Sequence, residues 1–227
     1  MKIPDIIIAI DGCSGTGKSS FARALAAETG FLHLDSGALY RAVTLFAQER
    51  KLISAADEVS PGLEAELRSL DLRFGPDNRT YIGERCVERE IRTMEVSSQV
   101  SPISALPYVR AFVDGILHSY GRDGRIIMDG RDIGTTVFPQ AQVKIFMTAS
   151  EQVRAQRRFK ELEAKGESPA IGEVLENIRR RDRIDSTRAA SPLAKAPDAF
   201  VLDNSDMTLQ EEVAWARGLL QGMFSIR

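Results

Sequence analysis

The chain has 227 residues, enough for one well-buried core with small insertions. Its 43% hydrophobic and 27% charged residues are ordinary for a globular protein, and a formal net charge of −2 gives no general attraction to nucleic acid or membrane. Two cysteines, Cys13 and Cys86, cannot form a Cys₄ zinc site. We expect them to be free thiols in the reducing environment of the cytoplasm.

The first elements predicted along the chain are a strand, a glycine-rich loop and a helix. An apolar run at 6–10 is typical of a buried parallel strand, and Phe21, Leu25 and Ala26 recur at helical spacing. Between them, residues 12–19 (Gly-Cys-Ser-Gly-Thr-Gly-Lys-Ser) match the pattern G-x-x-x-x-G-K-[ST]. In this setting the pattern indicates a loop that binds the phosphates of a nucleoside triphosphate.

Each part of this loop has a physical role. Glycines permit positive φ and bring backbone N–H groups close to phosphate, while the helix N-terminus adds the positive end of its dipole. Lys18 would reach the β- and γ-phosphates, and Ser19 or Ser20 would offer a hydroxyl to Mg²⁺. The candidate ATP-binding residues are Gly12, Cys13, Ser14, Gly15, Thr16, Gly17, Lys18, Ser19 and Ser20.

The next segments predict a strand–helix order that an insertion interrupts. We expect a strand over 31–35, a helix from Ser36 and a short helix over 61–70. Within 72–82, two alternating segments flank a turn-rich Gly-Pro-Asp-Asn sequence, which predicts a β-hairpin. Because a regular series of parallel strands and helices contains no hairpin, residues 61–90 are expected to form an inserted subdomain.

The second half of the chain returns to alternating helices and strands. Helices are expected from Thr93, with a break at Pro102, and over 107–120. Strands are expected over 126–129, 143–148 and 200–203. From 151 to 188 the chain is dense in arginine, with the helical pattern interrupted at Lys165-Gly166. Ser150 can cap the helix that starts this segment, and a Thr-Leu-Gln-Glu capping box at 208–211 opens the last helix. This alternation implies a mostly parallel sheet covered by helices.

The polar residues favour phosphoryl transfer. A phosphate-binding loop alone also fits GTPases, motor ATPases and small-molecule kinases. The spacing suggests no Ser/His/Asp grouping and no metal-ligand cluster, and His33, inside a strand, is expected to be structural. Arginines instead accompany short loops at 36–41, 129–132 and 185–188. Transfer to a phosphate acceptor needs such cations and no general base, because the attacking oxygen is already anionic.

Four segments resemble bacterial-type cytidylate kinase. They are Ile-Asp-Gly-x-Ser-Gly-x-Gly-Lys at 10–18, Leu-Asp-Ser-Gly-Ala-x-Tyr-Arg at 34–41, Gly-Arg-Asp-Ile-Gly-Thr-x-Val-Phe-Pro at 130–139 and Ser-Pro-Leu at 191–193. The third is highly specific, and the resemblance extends from about Ile8 to Trp215. Cys13 stands where the family usually has proline, and Ser19 where it often has glycine.

The resemblance implies an α/β P-loop NTPase fold. Its core would be an adenylate-kinase-like five-stranded parallel sheet with an inserted subdomain that binds the nucleoside monophosphate and a short, zinc-free lid. The core would comprise residues 1–60, 91–150 and 186–227, the inserted subdomain 61–90 and the arginine-rich lid 151–185. The partners implied are ATP with Mg²⁺ and CMP or dCMP, bound by a monomer that contacts neither nucleic acid nor membrane.

The resemblance also implies a role for each site residue. Lys18, Arg131, Arg188, Arg157, Arg158 and Arg181 would be catalytic. The acceptor would be held by Ser36, Arg110 and Asp132 at cytosine, by Arg41, Arg131 and Arg188 at the phosphate, and by Ser101 and Asp185 at the ribose. The assignment at cytosine is chemically reasonable, because Asp132 can accept from the amino group while Arg110 donates to N3 and O2. Uracil would leave both unpaired.

Three points stay open from the sequence. Asp129, at the end of its strand, fits either a role near Mg²⁺ or a turn. The acceptor could be another small molecule, such as UMP or AMP, in place of CMP. The chain could also be a non-catalytic ATP-binding switch, although such a switch would not need arginines for an acceptor.

Overall fold

The structure is a computed structural model that describes residues 3–122, 124–164, 166 and 168–224. It divides into two compact units. The first comprises Met1–Leu34, Asp123–Thr187 and Ser191–Arg227, and the second comprises Asp35–Arg122 and Arg188–Ala190. No helix within the described ranges is long and apolar enough to cross a membrane.

The described residues contain eight strands and eight α-helices. The strands are β1 (Ile7–Gly12), β2 (Leu32–Asp35), β3 (Leu72–Phe74), β4 (Thr80–Ile82), β5 (Arg85–Cys86), β6 (Ile126–Gly130), β7 (Val143–Thr148) and β8 (Phe200–Asp203). The helices are α1 (Lys18–Thr29), α2 (Ser36–Glu49), α3 (Leu63–Leu67), α4 (Met94–Ser104), α5 (Pro107–Tyr120), α6 (Glu151–Glu163), α7 (Ile171–Thr187) and α8 (Leu209–Phe224). A 3₁₀ turn (Glu90–Arg92) and a π-helical turn (Ile133–Val137) complete the set.

The first unit is organised by a five-stranded sheet in the order β2-β6-β1-β7-β8. Strand β1 lies at its centre and pairs in parallel with β6 and β7, so that Ile8 is opposite both Ile127 and Val143. Strand β8 extends the parallel pairing from β7. The predicted five-stranded parallel core is confirmed. In such sheets the loops at the carboxyl ends of the strands hold the ligand, and the glycine-rich loop follows β1 at that edge.

The core of this unit forms where β1 and α1 bury their apolar side chains. Ile8 and Ile10 are fully buried, since β6 and β7 flank their strand. On α1, Phe21 and Leu25 are also fully buried, in the same cluster as Leu220 of α8. Burial of each such side chain stabilises the fold by about 1.5–3 kcal/mol. This packing fixes both ends of the loop that joins β1 to α1.

The second unit combines α2, α4 and α5 with a small antiparallel sheet of order β3-β4-β5. Strands β3 and β4 form the hairpin expected from the alternating pattern, with Arg73 opposite Tyr81. The hydroxyl of Tyr120 on α5 accepts from the Phe74 amide at 3.0 Å and donates to the Phe74 carbonyl at 3.1 Å. Their rings meet edge to face at 5.4 Å. The hairpin is therefore tied to a helix of its own unit.

Some local predictions are confirmed and one is wrong. Ser150 caps α6 by accepting from the Val153 amide, and Thr208 and Glu211 form the predicted capping box of α8. The break expected at Pro102 is absent, because α4 continues to Ser104. Proline lacks the N–H that would bond within the helix, and its ring crowds the carbonyl four residues earlier, but the last turn still closes, with the Ala105 amide donating to the Ser101 carbonyl at 3.1 Å.

Parts of other predictions cannot be compared with the structure. Lys165, where the helical pattern is interrupted, lies outside the described residues, as do residue 167 of the expected lid and residues 1, 2, 123 and 225–227 of the expected core. The boundaries expected for the core, the inserted subdomain and the lid stay predictions.

Candidate active site

The phosphate-binding loop owes its course to three glycines. Gly12, Gly15 and Gly17 have φ values of 150°, 76° and 88°, which side-chain-bearing residues rarely adopt. At Gly12 a Cβ atom would also lie 2.1 Å from the carbonyl oxygen of Met147. Helix α1 begins directly after Gly17, so its N-terminal amides and the positive end of its dipole face the loop.

Lys18 is a buried cation held by the loop itself. Its ammonium donates to the Cys13 carbonyl at 2.6 Å and to the Thr16 hydroxyl at 3.2 Å. Burial, with the positive charge of Arg131 nearby, lowers the pKa of Lys18 to about 7. An anion bound to this ammonium would stabilise its charged form, which burial separates from water.

Cys13, beside these contacts, has the chemistry of an unreactive thiol. Both cysteines are free, as predicted. Burial raises the pKa of the Cys13 thiol, so the thiolate is scarce at neutral pH.

The first residues of α1 distinguish the two candidate hydroxyls. Ser19 donates to Asp129 Oδ2 at 2.7 Å, whereas Ser20 is exposed. Asp129, at the end of β6, is 2% exposed, and its other oxygen lies 2.7 Å from His33 Nε2 on β2. Hydroxyl and carboxylate oxygens are the ligands that Mg²⁺ prefers, so Ser19 and Asp129 suit this ion.

One basic and one acidic side chain from the arginine-rich segment contact the loop backbone. Arg154 on α6 donates to the Ser14 carbonyl at 3.0 Å and to Asp182 Oδ2 at 2.5 Å. Asp182 on α7 accepts from the Ser14 amide at 3.2 Å. A carboxylate therefore bonds an amide of the loop predicted to bind phosphate, and a neighbouring guanidinium balances its charge.

The three arginines predicted for the lid differ in their surroundings. Arg157 donates to the Thr16 carbonyl at 3.3 Å and to the Asn204 carbonyl at 2.8 Å, which joins α6 to the loop. Arg158 instead forms an ion pair with Glu161 at 3.1 Å. Arg181 is half-buried on α7. Arg157 therefore contacts the phosphate-binding loop directly.

The turn after β6 carries two more predicted residues, Arg131 and Asp132. Arg131 donates to Asp185 Oδ2 at 2.9 Å, which brings together one residue expected at the acceptor phosphate and one expected at the ribose. Asp132 is 3% exposed, and its carbonyl accepts from Thr136 and Val137 at the start of the π-helical turn.

Asp11 holds this turn from the end of β1. Its two carboxylate oxygens each accept a 2.7 Å hydrogen bond, one from the Ile133 amide and one from the Gly134 amide. Burial raises the pKa of Asp11 to about 6, although both amide bonds oppose the rise. The residue therefore sets the backbone directly after Asp132.

The remaining predicted residues lie in the second unit. Ser36 is buried at the start of α2, and Arg41 on the same helix donates to Asp35 Oδ2 at 2.7 Å. Ser101 is buried on α4, and Arg188 is also buried. Arg110, buried on α5, donates to the Ser104 carbonyl at 3.3 Å and lies over the Tyr40 ring at 5.2 Å from its centre.

The structure adds residues that the sequence analysis did not assign to the site: His33, Arg154, Asp182 and Asn204. Asn204 is fully buried, and its amide donates to the Thr16 carbonyl at 2.8 Å and to Glu212 at 2.6 Å. A polar residue directly after a predicted strand is a usable signal for Asn204, because strand ends hold ligands in parallel sheets. Arg154 and Asp182 lie among many charged neighbours, so spacing gives no signal for them.

Comparison with known proteins agrees with the resemblance of the motifs. A family model described as cytidylate kinase matches residues 8–218. The cytidylate kinase of Bacteroides fragilis is 49% identical over 215 residues, which cover 92% of this chain and 94% of that protein. The cytidylate kinase of Porphyromonas gingivalis is 49% identical over 216 residues, with the same coverage.

A solved structure gives independent support for the fold. An uncharacterised protein from Eubacterium ventriosum aligns with a TM-score of 0.53 at 10% identity, covering 96% of this chain and 99% of that one. At this identity the likeness concerns the fold alone.

Proposed function

The chain belongs to the cytidylate kinase family and phosphorylates CMP with ATP, and we propose that the transfer is in-line, assisted by Mg²⁺, and extends to dCMP. The observation that carries this proposal is the buried Lys18 at the glycine-rich loop, beside Ser19 and its bond to Asp129.

The loop residues bind and orient the triphosphate. The ammonium of Lys18 exchanges its contacts with Cys13 and Thr16 for the β- and γ-phosphates, whose charge restores its ordinary pKa. Backbone amides of the loop and of the α1 N-terminus donate to the same phosphates. Ser19 and Asp129 would hold Mg²⁺, which would supply positive charge to the triphosphate.

The acceptor phosphate needs cations more than a base. Its attacking oxygen is anionic, so Arg41, Arg131 and Arg188 are proposed to bring it in line and offset the repulsion between the two phosphates. Arg157, Arg158 and Arg181 are proposed to add charge at the transferred group, and Ser101 and Asp185 to bind the ribose. The Arg131–Asp185 pair supports a shared role for these two residues.

The base is proposed to be read by Asp132, Arg110 and Ser36. Cytosine has an amino donor beside the N3 and O2 acceptors, and these groups match a carboxylate acceptor and a guanidinium donor. The low exposure of Asp132 supports this role, because a buried carboxylate that meets the carbonyl of uracil in place of the cytosine amino group penalises the wrong base.

The alternatives are not favoured by the family relationship. A kinase for UMP or AMP would need a different base pocket. A switch that binds ATP without transfer would need no acceptor residues. We also propose that the chain acts in the cytoplasm as a monomer that binds neither nucleic acid nor membrane.

Release of ADP, measured with CMP, dCMP, UMP and AMP in turn, tests the proposal. CMP and dCMP should support turnover in the presence of Mg²⁺ and lose it when EDTA is added. Slow turnover with dCMP would restrict the acceptor to ribonucleotides, and full turnover in EDTA would remove the metal from the mechanism.

A further inference from the structure

Three side chains from distant parts of the chain form a hydrogen-bonded series that ends at the phosphate-binding loop. His33 on β2 contacts Asp129 Oδ1 through Nε2 at 2.7 Å, and Asp129 Oδ2 accepts from the Ser19 hydroxyl at 2.7 Å. Strands β2 and β6 are neighbours in the sheet, which explains how residues 96 positions apart meet.

The burial of the series gives it a definite geometry. The side chain of Asp129 is 3% exposed and that of His33 is 13% exposed, so solvent has little access to either oxygen of the carboxylate. A buried carboxylate needs hydrogen-bond partners, and here His33 on β2 supplies one and Ser19 on α1 supplies the other. Two donors from different elements fix both the position and the plane of the carboxylate.

The orientation of Asp129 determines that of the Ser19 hydroxyl. Ser19 has one hydroxyl hydrogen, which it donates to Asp129, so the oxygen lone pairs are left for another partner. We propose that His33 is a positioning residue for the metal site: by holding Asp129, it keeps the Ser19 oxygen available to the Mg²⁺ that accompanies ATP. This inference rests on the proposed use of Mg²⁺ by the site.

Loss of the His33 bond should therefore weaken metal-dependent binding selectively. Without the His33 bond, the Asp129 carboxylate can rotate and present either oxygen to Ser19, so the Ser19 hydroxyl is no longer held in one orientation. The backbone amides of the glycine-rich loop are unchanged. Residues that orient metal ligands typically change metal affinity by about 10–100-fold. A purely structural role for His33 would weaken nucleotide binding equally with and without the metal.

Calorimetric titration with a non-hydrolysable ATP analogue, in Mg²⁺ and then in EDTA, separates these two roles without turnover. In His33→Leu the affinity gained from Mg²⁺ should fall by roughly 10-fold, with the affinity in EDTA within about twofold of the unmodified protein. His33→Gln places an amide N–H near the position of Nε2 and should restore the gain. His118→Leu, at the exposed histidine on α5, is the matched control and should change neither value.

A Ser19→Ala background tests the coupling directly. There His33→Leu should cause no further loss of the gain from Mg²⁺, because the hydroxyl that it positions is gone. Equal losses in Mg²⁺ and EDTA, or no loss in either, would overturn the inference. If His33→Leu does not fold, His33→Asn, too short to reach Asp129, is interpreted in the same way. If the unmodified protein gains nothing from Mg²⁺, the proposed metal role fails and the inference with it; a gain that His33→Leu retains refutes the inference alone.

Discussion

At the scale of single residues, the site depends on a cation that is costly to bury. Lys18 is 6% exposed, and the partners of its ammonium are a carbonyl and a hydroxyl. Burial disfavours the charged form of Lys18 and so lowers its pKa, and a bound triphosphate would stabilise that charged form again. The catalytic role that we propose for Lys18 and the free-energy cost of its burial therefore belong to the same ammonium group.

Replacement of Lys18 by methionine should separate activity from stability. We expect turnover to fall by about 10²–10³-fold, because a cation facing the transferred phosphoryl group is lost. The melting temperature without nucleotide should stay equal or rise, since the buried charge is removed. Lys144→Met is the matched control: it removes another buried lysine, bonded to Asp198, and should lower the melting temperature but spare turnover of the folded protein. Unchanged turnover of Lys18→Met at saturating ATP would exclude Lys18 from the mechanism.

The choice of base should depend on Asp132. In Asp132→Asn the side chain keeps one acceptor for the cytosine amino group but can also donate to O4 of uracil. A discriminating contact is worth roughly 1–3 kcal/mol, so the ratio of kcat/KM for CMP to that for UMP should fall about 10- to 100-fold. Most of the fall should come from weaker use of CMP. Equal losses for both substrates would mean that Asp132 positions its turn and does not read the base.

At the scale of elements, the turn after β6 is held by a carboxylate from β1. A pKa raised on folding means that the folded protein binds the Asp11 proton more tightly than the unfolded chain does. Protonated Asp11 therefore stabilises the folded protein. This contribution is complete below pH 3.8, the ordinary pKa of the carboxyl, and is lost as the pH rises through about 6. Relative to Asp11→Asn, the free energy of unfolding should therefore decrease between pH 4.5 and 7.5.

Urea unfolding of both proteins across this range measures the effect. Asp198→Asn is the control, because the hydrogen bond from Lys144 lowers the pKa of Asp198 and moves its contribution below the range. A difference between unmodified protein and Asp11→Asn that is constant with pH would show that Asp11 does not titrate there.

The arginine-rich helices α6 and α7 should respond to both nucleotides together. Arg158 forms a partly exposed ion pair with Glu161, and such a pair contributes little to stability and can exchange for phosphate. We expect amide hydrogen exchange over 151–185 to slow when an ATP analogue and CMP are both bound, because these arginines then close on the phosphates and exclude water. Equal exchange with and without the nucleotides would contradict a moving lid.

At the scale of the whole molecule, the sequence predicts elements better than it predicts their contacts. Strands β7 and β8 have the bounds that their apolar runs indicate, and the glycine motif marks the loop correctly. The bonds that build the site join residues as far apart as Thr16 and Asn204, 188 positions along the chain. Such contacts depend on the strand order, which periodicity does not contain.

The exposed edge of the five-stranded sheet bears on the predicted monomer. Phe200 and Val201 of β8 are 39% and 53% exposed, which leaves apolar surface on an edge strand. The strand has four residues and ends in the exposed, charged Asp203, and short charged edges resist pairing with a second copy. Two side chains also supply far less than the roughly 1,200 Å² of surface that a stable interface buries.

Light scattering should give a mass near 25.0 kDa at micromolar concentration. A mass twice as large that returns to the monomer value in Val201→Lys would identify β8 as an interface and refute the prediction.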